Sequence, residues 1–129
     1  MAQLKKWEKE FRGFIYYSYG TSNSKGVAIL VPYYLTSKIK VTELKNDNDG
    51  RILIIHGSIA GTDLVIGNIY APTRDHVQTQ NMFLKNLREL IHDYSDKNLL
   101  IGGDYNICLD SKLDKNGGKQ WSAHHTIQI

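Results

Sequence analysis

Two short stretches carry residue types suited to more than packing. Gly102-Gly103-Asp104-Tyr105-Asn106 follows the apolar run Leu99–Ile101. In a strand, residues two apart point to the same side, so Asp104 and Asn106 are expected on one face and Tyr105 on the other. A carboxylate there can hold a metal or orient a water as a base. A neighbouring amide can donate to a phosphate oxygen and accept from a water. The two glycines let another backbone approach closely. The second stretch is Gly67-Asn68-Ile69-Tyr70-Ala71-Pro72, in which Asn68 and Tyr70 share a strand face. A phenol just before the turn can donate to an oxyanion. Both stretches also have a purely structural explanation. The first fits a glycine-rich strand end whose aspartate opens an Asx turn, and the second an aromatic packed at a strand end.

The pattern around them supplies the elements that must position them. Leu4, Trp7 and Phe11 recur at helical spacing, which predicts a short amphipathic helix stopped by Gly13. Phe14–Tyr19 predicts a strand, residues 20–26 a loop, and the apolar run Val27–Pro32 a strand buried on both faces. Residues 37–44 alternate, with Ile39, Val41 and Glu43 expected on one side. Asn46–Gly50 is a hairpin turn signal and 51–59 its return strand. Ala60-Gly61-Thr62 turns the chain into a further buried strand ended by Pro72. These segments form an antiparallel meander. Then Val77, Phe83, Leu84, Leu87, Leu90, Ile91 and Tyr94 follow a 3.6-residue period, with Asp75 and Gln78 in capping-box register. A strand, a helix and a strand in that order predict a parallel crossover. It would bring Tyr70 and Asp104 to the same strand ends, where ligands of open α/β sheets collect.

The bulk properties set limits. The 129 residues fit one domain, 1–129, with 114–129 expected as an irregular tail. The composition is globular, 41% hydrophobic and 22% charged, and the formal net charge of +3 is compatible with nucleic acid without arguing for it. Cys108 is the single cysteine, which suits a reducing compartment. No apolar run is long enough for a bilayer, and the first residues lack the apolar stretch of a signal peptide. The expected setting is therefore nuclear or cytoplasmic, not secreted and not on a membrane. Lys25, Arg74, Lys112 and Lys115 fall in expected loops, where they can touch phosphates or simply be solvated. His56, His76 and His92 are scattered without metal-ligand spacing, and His124-His125 lies in the unpatterned tail.

Three motifs now combine: residues 16–30 ("YYSYGTSNSKGVAIL"), 67–73 ("GNIYAPT") and 99–110 ("LLIGGDYNICLD"). In this order and spacing the chain resembles the endonuclease domain of LINE-type (non-LTR) retrotransposons. That family belongs to the endonuclease/exonuclease/phosphatase superfamily, with DNase I and the apurinic endonuclease as relatives. The resemblance runs from the first helix to about residue 118. It implies a partial four-layer α/β sandwich, DNase-I-like, with mostly antiparallel strands and one crossover. It implies a phosphodiesterase using Mg2+, with DNA as substrate, once part of a polyprotein with a reverse transcriptase. In such elements the domain nicks target DNA, and the new 3′ hydroxyl primes reverse transcription. Carried over, Tyr70 contacts the scissile phosphate, Asp104 orients or deprotonates the attacking water, and Asn106 holds the phosphate. Thr73, Lys25 and Arg74 are the expected substrate contacts.

The sequence also departs from that family. Thr73 stands where an asparagine is usual, and Tyr105 where phenylalanine is. The family's metal-binding glutamate precedes the first helix, and its catalytic histidine follows in a later "SDH" segment. Glu8 and Glu10 do not match the first, and His124 and His125 lack the context of the second. The expectation is a domain truncated at both ends and inactive, or weakly active, by itself. The alternatives are a non-catalytic nucleic-acid-binding remnant, or a phosphoesterase of the same superfamily acting on inositol phosphates or lipids.

Overall fold

Alternating and continuous apolar runs become six strands, and the 3.6-residue pattern becomes a helix between the last two. The computed structural model describes residues 2–21, 24–73 and 77–106. Helix α1 (Ala2–Glu10) leads into strands β1 (Gly13–Thr21) and β2 (Ser24–Pro32). After a 3-10 turn come β3 (Ile39–Asn46), β4 (Ile52–Ile59) and β5 (Thr62–Tyr70). Helix α2 (Val77–Ile91), a 3-10 turn (His92–Tyr94) and β6 (Leu99–Asp104) complete the order. β1 and β2 form an antiparallel two-stranded sheet. The other sheet is ordered β3-β4-β5-β6, antiparallel except for the parallel β5–β6 pair. The meander and the crossover are both present.

The larger sheet is covered on both faces. Ile52, Ile54, Val65 and Ile69 face α2 and form the core with Ala71, Phe83, Leu87 and Tyr94. Leu53 and Ile55, of opposite parity on β4, are buried on the side of the small sheet. The Asn68 amide crosses between the sheets and donates to the Ala28 carbonyl (2.7 Å). On the far side of β1, the Tyr19 phenol donates to the Tyr17 hydroxyl (2.9 Å). That bond raises the Tyr19 pKa, with a smaller push from Glu8 of α1. The layers therefore run small sheet, large sheet, α2.

Three expectations need correction. Val27–Pro32 is not buried on both faces: Val31 is buried, but Leu30 on the opposite face is 40% exposed. The reason is that β2 pairs with β1 alone, in a sheet packed on one side against β4 and β5. Residues 24–26 belong to β2, not to a loop. Along β3 a bulge between Val41 and Glu43 reverses the alternation. Ile39 and Val41 line the small-sheet side with Ile55 and Ile66, while Glu43 turns to the α2 side and accepts from the Tyr94 hydroxyl. The capping residue proposed for α2, Asp75, lies outside the described residues, as does the 114–129 tail.

Candidate active site

The parallel β5–β6 ladder decides the geometry. Its register pairs Asn68 with Gly102, Ile69 with Gly103 and Tyr70 with Asp104. Partners in a ladder present their side chains to the same face, so the phenol and the carboxylate stand side by side at the strand ends. Gly103 makes this pairing possible. Its φ is +130°, and a Cβ there would come within 2.0 Å of the Ile69 carbonyl oxygen. Gly102 has no such constraint, since a Cβ would meet nothing within 4 Å. The close approach expected of two glycines is thus made by the second.

Beyond Asp104 the strand ends, and the expected two-residue alternation ends with it. Asn106 adopts φ +50°, a left-handed conformation that asparagine tolerates better than most residues. Its backbone N–H donates to Asp104 Oδ1 (2.9 Å), and its side-chain amide donates to the Ala71 carbonyl (2.6 Å). The Ala71 N–H in turn donates to the Asp104 carbonyl (2.8 Å). Asp104 and Asn106 are therefore joined by an Asx turn rather than by a shared strand face, and the turn ties both to the end of β5. Structural and chemical explanations of "GGDYN" coexist here. Tyr105 turns away, packs against the core and donates to the Ile101 carbonyl (3.0 Å); burial raises its pKa.

Tyr70 is 39% exposed and Asp104 is exposed, so both are reachable from solvent. Thr73 is exposed two residues past buried Ala71. The Lys25 side chain lies outside the described residues, although its backbone is in β2. All of Arg74, His76, Lys112, Lys115, His124 and His125 lies outside them too. His56 pairs with Asp63 (2.9 Å) at the opposite end of the sheet and takes no part in this site.

One member was not singled out from the sequence. The Arg51 guanidinium lies 5.5 Å from the Tyr70 ring centroid, and its Nη1 donates to the Tyr70 carbonyl (3.2 Å). A readable signal exists. Arg51 directly follows the hairpin turn, and the start of a return strand meets the end of the strand antiparallel to it. Ile52 pairs with Ile69, so the next positions outward are Arg51 and Tyr70.

A magnesium ion takes hard oxygen ligands, commonly one or two carboxylates with phosphate and water. The described residues bring one carboxylate to this place, and its Oδ1 already accepts the Asn106 N–H. Among the described residues no group of three or more His, Cys, Asp or Glu could hold a metal. By themselves they do not form a magnesium site. What they bring together, at a partly exposed edge, is a phenol, an amide and a guanidinium beside one carboxylate.

The fold defines a class. A crystal structure of truncated Caenorhabditis elegans TDP2 matches 83% of the chain, with 24% identity and a TM-score of 0.54. A D. rerio TDP2 structure, complexed with single strand DNA product, matches 83% with 15% identity and a TM-score of 0.61. The mixed α/β fold of the described residues is the DNase-I-like fold of these TDP2 structures. The chain is also similar to the transposon TX1 uncharacterized 149 kDa protein of Xenopus laevis, 27% identical over 122 residues. That match takes in 94% of this chain but 9% of the relative, and the two structures are covered to 45% and 44%. No family model matches the chain. Among the described residues no helix is long and apolar enough to cross a membrane.

Proposed function

We propose that this chain is part of the DNA endonuclease domain of a LINE-type retrotransposon, a phosphodiesterase whose reacting phosphate lies at the ends of β5 and β6. The observation that carries this is the register of Tyr70 with Asp104, with Asn106 bonded back to Ala71. Tyr70 donates its phenolic hydrogen to a phosphate oxygen. Asp104 orients the attacking water or takes its proton, and Asn106 supplies an amide to the phosphate. Lys25, Thr73 and Arg74 are proposed substrate contacts around them. The similarity to a transposon protein favours nucleic acid over inositol phosphates or lipids. Magnesium is the cofactor the resemblance leads us to expect. The intact polyprotein would carry a reverse transcriptase and work where target DNA is.

By itself the chain is proposed to be inactive or weakly active. It lacks counterparts of the family's metal-binding glutamate and catalytic histidine, and catalytic groups act as a unit. The test incubates the purified chain with supercoiled plasmid and magnesium, and measures DNA binding against salt. Salt-dependent binding with little nicking is expected. Robust nicking that disappears in Asp104→Ala would overturn the inactivity and keep the site. Failure to bind DNA at low salt would overturn the nucleic-acid reading.

A further inference from the structure

Arg51 is held unlike the other cations whose partners are visible. Lys45 sits 2.8 Å from Asp93 and Lys97 sits 3.6 Å from Asp63, each paired with a carboxylate. The Arg51 side chain instead meets neutral groups, the carbonyl and the ring of Tyr70. Among the described residues no carboxylate forms an ion pair with it. A guanidinium offers five N–H donors in a rigid fork matched to two oxygens of a phosphate.

The backbone that carries it is fixed from three sides. Asp47 Oδ1 accepts the N–H groups of Arg51 (2.9 Å) and Ile52 (3.0 Å). The Tyr70 N–H donates to the Arg51 carbonyl (2.8 Å). The turn itself is packed on β1: Gly50 has φ +69°, and a Cβ there would come within 2.3 Å of the Tyr19 carbonyl oxygen. Ser18, buried, points its hydroxyl at the Asp47 carbonyl (3.5 Å). A long, flexible side chain is thus rooted in one of the better-tied turns of the molecule.

This placement addresses a need of the site. A phosphodiester carries negative charge and must come close to the Asp104 carboxylate, which repels it. Tyr70 and Asn106 offer dipoles but no charge. The cation beside them is Arg51, bound to the same residue, Tyr70, that pairs with Asp104.

We infer that Arg51 is a substrate-binding residue of this site: it donates two of its five N–H groups to the non-bridging oxygens of a nucleic-acid phosphate while another, on Nη1, holds the Tyr70 carbonyl. The inference rests on the phosphodiesterase reading above and adds a residue to it. It also accounts for a nucleic-acid site on a chain whose net charge is only +3, since one aimed cation is a local feature.

The test measures affinity for a fluorescent single-stranded oligonucleotide across a salt series, for the wild-type chain, Arg51→Gln and Arg51→Lys. One lost phosphate contact lowers the slope of log K against log salt by about 0.7 for a single strand. Arg51→Gln is expected to show that loss, with binding roughly tenfold weaker at low salt. Arg51→Lys is expected to keep the slope and bind with intermediate affinity, because it keeps the charge and loses the fork. Thermal melts check that each variant is folded. A folded Arg51→Gln with wild-type slope and affinity overturns the role of Arg51 and leaves the functional reading standing. No oligonucleotide binding by the wild-type chain overturns both. Where Arg51→Gln does not fold, the wild type decides: the Arg51 Nε–H resonance shifts on adding oligonucleotide if the inference holds. It stays still, while other resonances move, if it does not.

Discussion

The two ends of β5 carry polar side chains and use them in opposite ways. At the end near the start of β5, side chains bind side chains. His56 pairs with Asp63 (2.9 Å), which also meets Lys97 (3.6 Å). On the α2 side of the edge strand β3, at the register of Ile54 and Gly67, Lys45 likewise meets Asp93 (2.8 Å) and stands 4.6 Å over the Tyr94 ring, whose hydroxyl donates to Glu43. At the other end, Asp104, Asn106 and Arg51 bind main chain instead. Where acids and bases neutralise one another, little is left for a ligand. Where main chain holds the side chains, each is aimed without an ion-pair partner among the described residues. A network of ion pairs suits a strut, and main-chain-tethered groups suit a binding site.

The largest way to break this contrast is at Asp104. Whatever nicking the chain retains, Asp104→Ala is expected to lower it by about 10³-fold or more while leaving the melting temperature nearly unchanged. Asp63→Ala should do the reverse, moving stability and sparing DNA binding. A salt-dependent binding curve altered equally by both would erase the distinction between the ends.

Next comes the support common to both. Leu87 is fully buried between α2 and the sheet. Leu87→Ala is expected to cost about 2–5 kcal/mol in urea unfolding, a large share of what a domain of this size has. A loss below about 1 kcal/mol would mean that α2 does not brace the sheet as described.

Asn106→Ala is a smaller change at the site end. It removes the amide bond to Ala71 and leaves a residue ill-suited to φ +50°. A loss of about 1–2 kcal/mol is expected, with weaker phosphate binding. Stability equal to wild type would show that the Asx turn forms without that bond.

The smallest effect sharpens the ion-paired side of the contrast. Hydrogen bonds hold two carboxyls below the usual range, Asp63 by His56 and Asp93 by Lys45. Their contribution is present above the unfolded pKa of about 4 and is lost as pH falls through the lower folded values. Lys45 is shifted the other way, raised first by its bond to Asp93, and burial raises Tyr94. Both contributions are complete below about pH 10 and vanish as pH rises through the folded values. The melting temperature is thus expected to fall at both extremes, modestly because the carboxylates face solvent and salt screens them. Asp93→Asn should flatten part of both limbs; unchanged limbs would mean the Lys45 pair contributes nothing measurable.

Much of the fold was legible because periodicity reports burial. The meander, the helix with Phe83 and Leu87 inward, and the crossover all follow from spacing. The bulge at Val41/Glu43 was not legible, since one extra residue leaves an alternating pattern that still looks regular. The one-sided burial of β2 was also hidden. An apolar run tells that a strand wants cover, not how many neighbours it gets. Within the site, Tyr70, Asp104 and Asn106 stood out because motif chemistry is local. Arg51 did not, because its significance comes from a partner nineteen residues away.

From the residues alone follow the order of strands and helix, the strand ends at which Tyr70 and Asp104 fall, and the chemistry those groups can do. The tertiary structure alone decided the exact β5–β6 register, the return of Asn106 onto Ala71 and the approach of Arg51 to Tyr70. The physical reason is range. Periodicity and turn propensity act over a few neighbouring residues and are written in them. Register and cross-strand contacts depend on how whole elements pack, and a slip of one position would turn the same side chains to the other face.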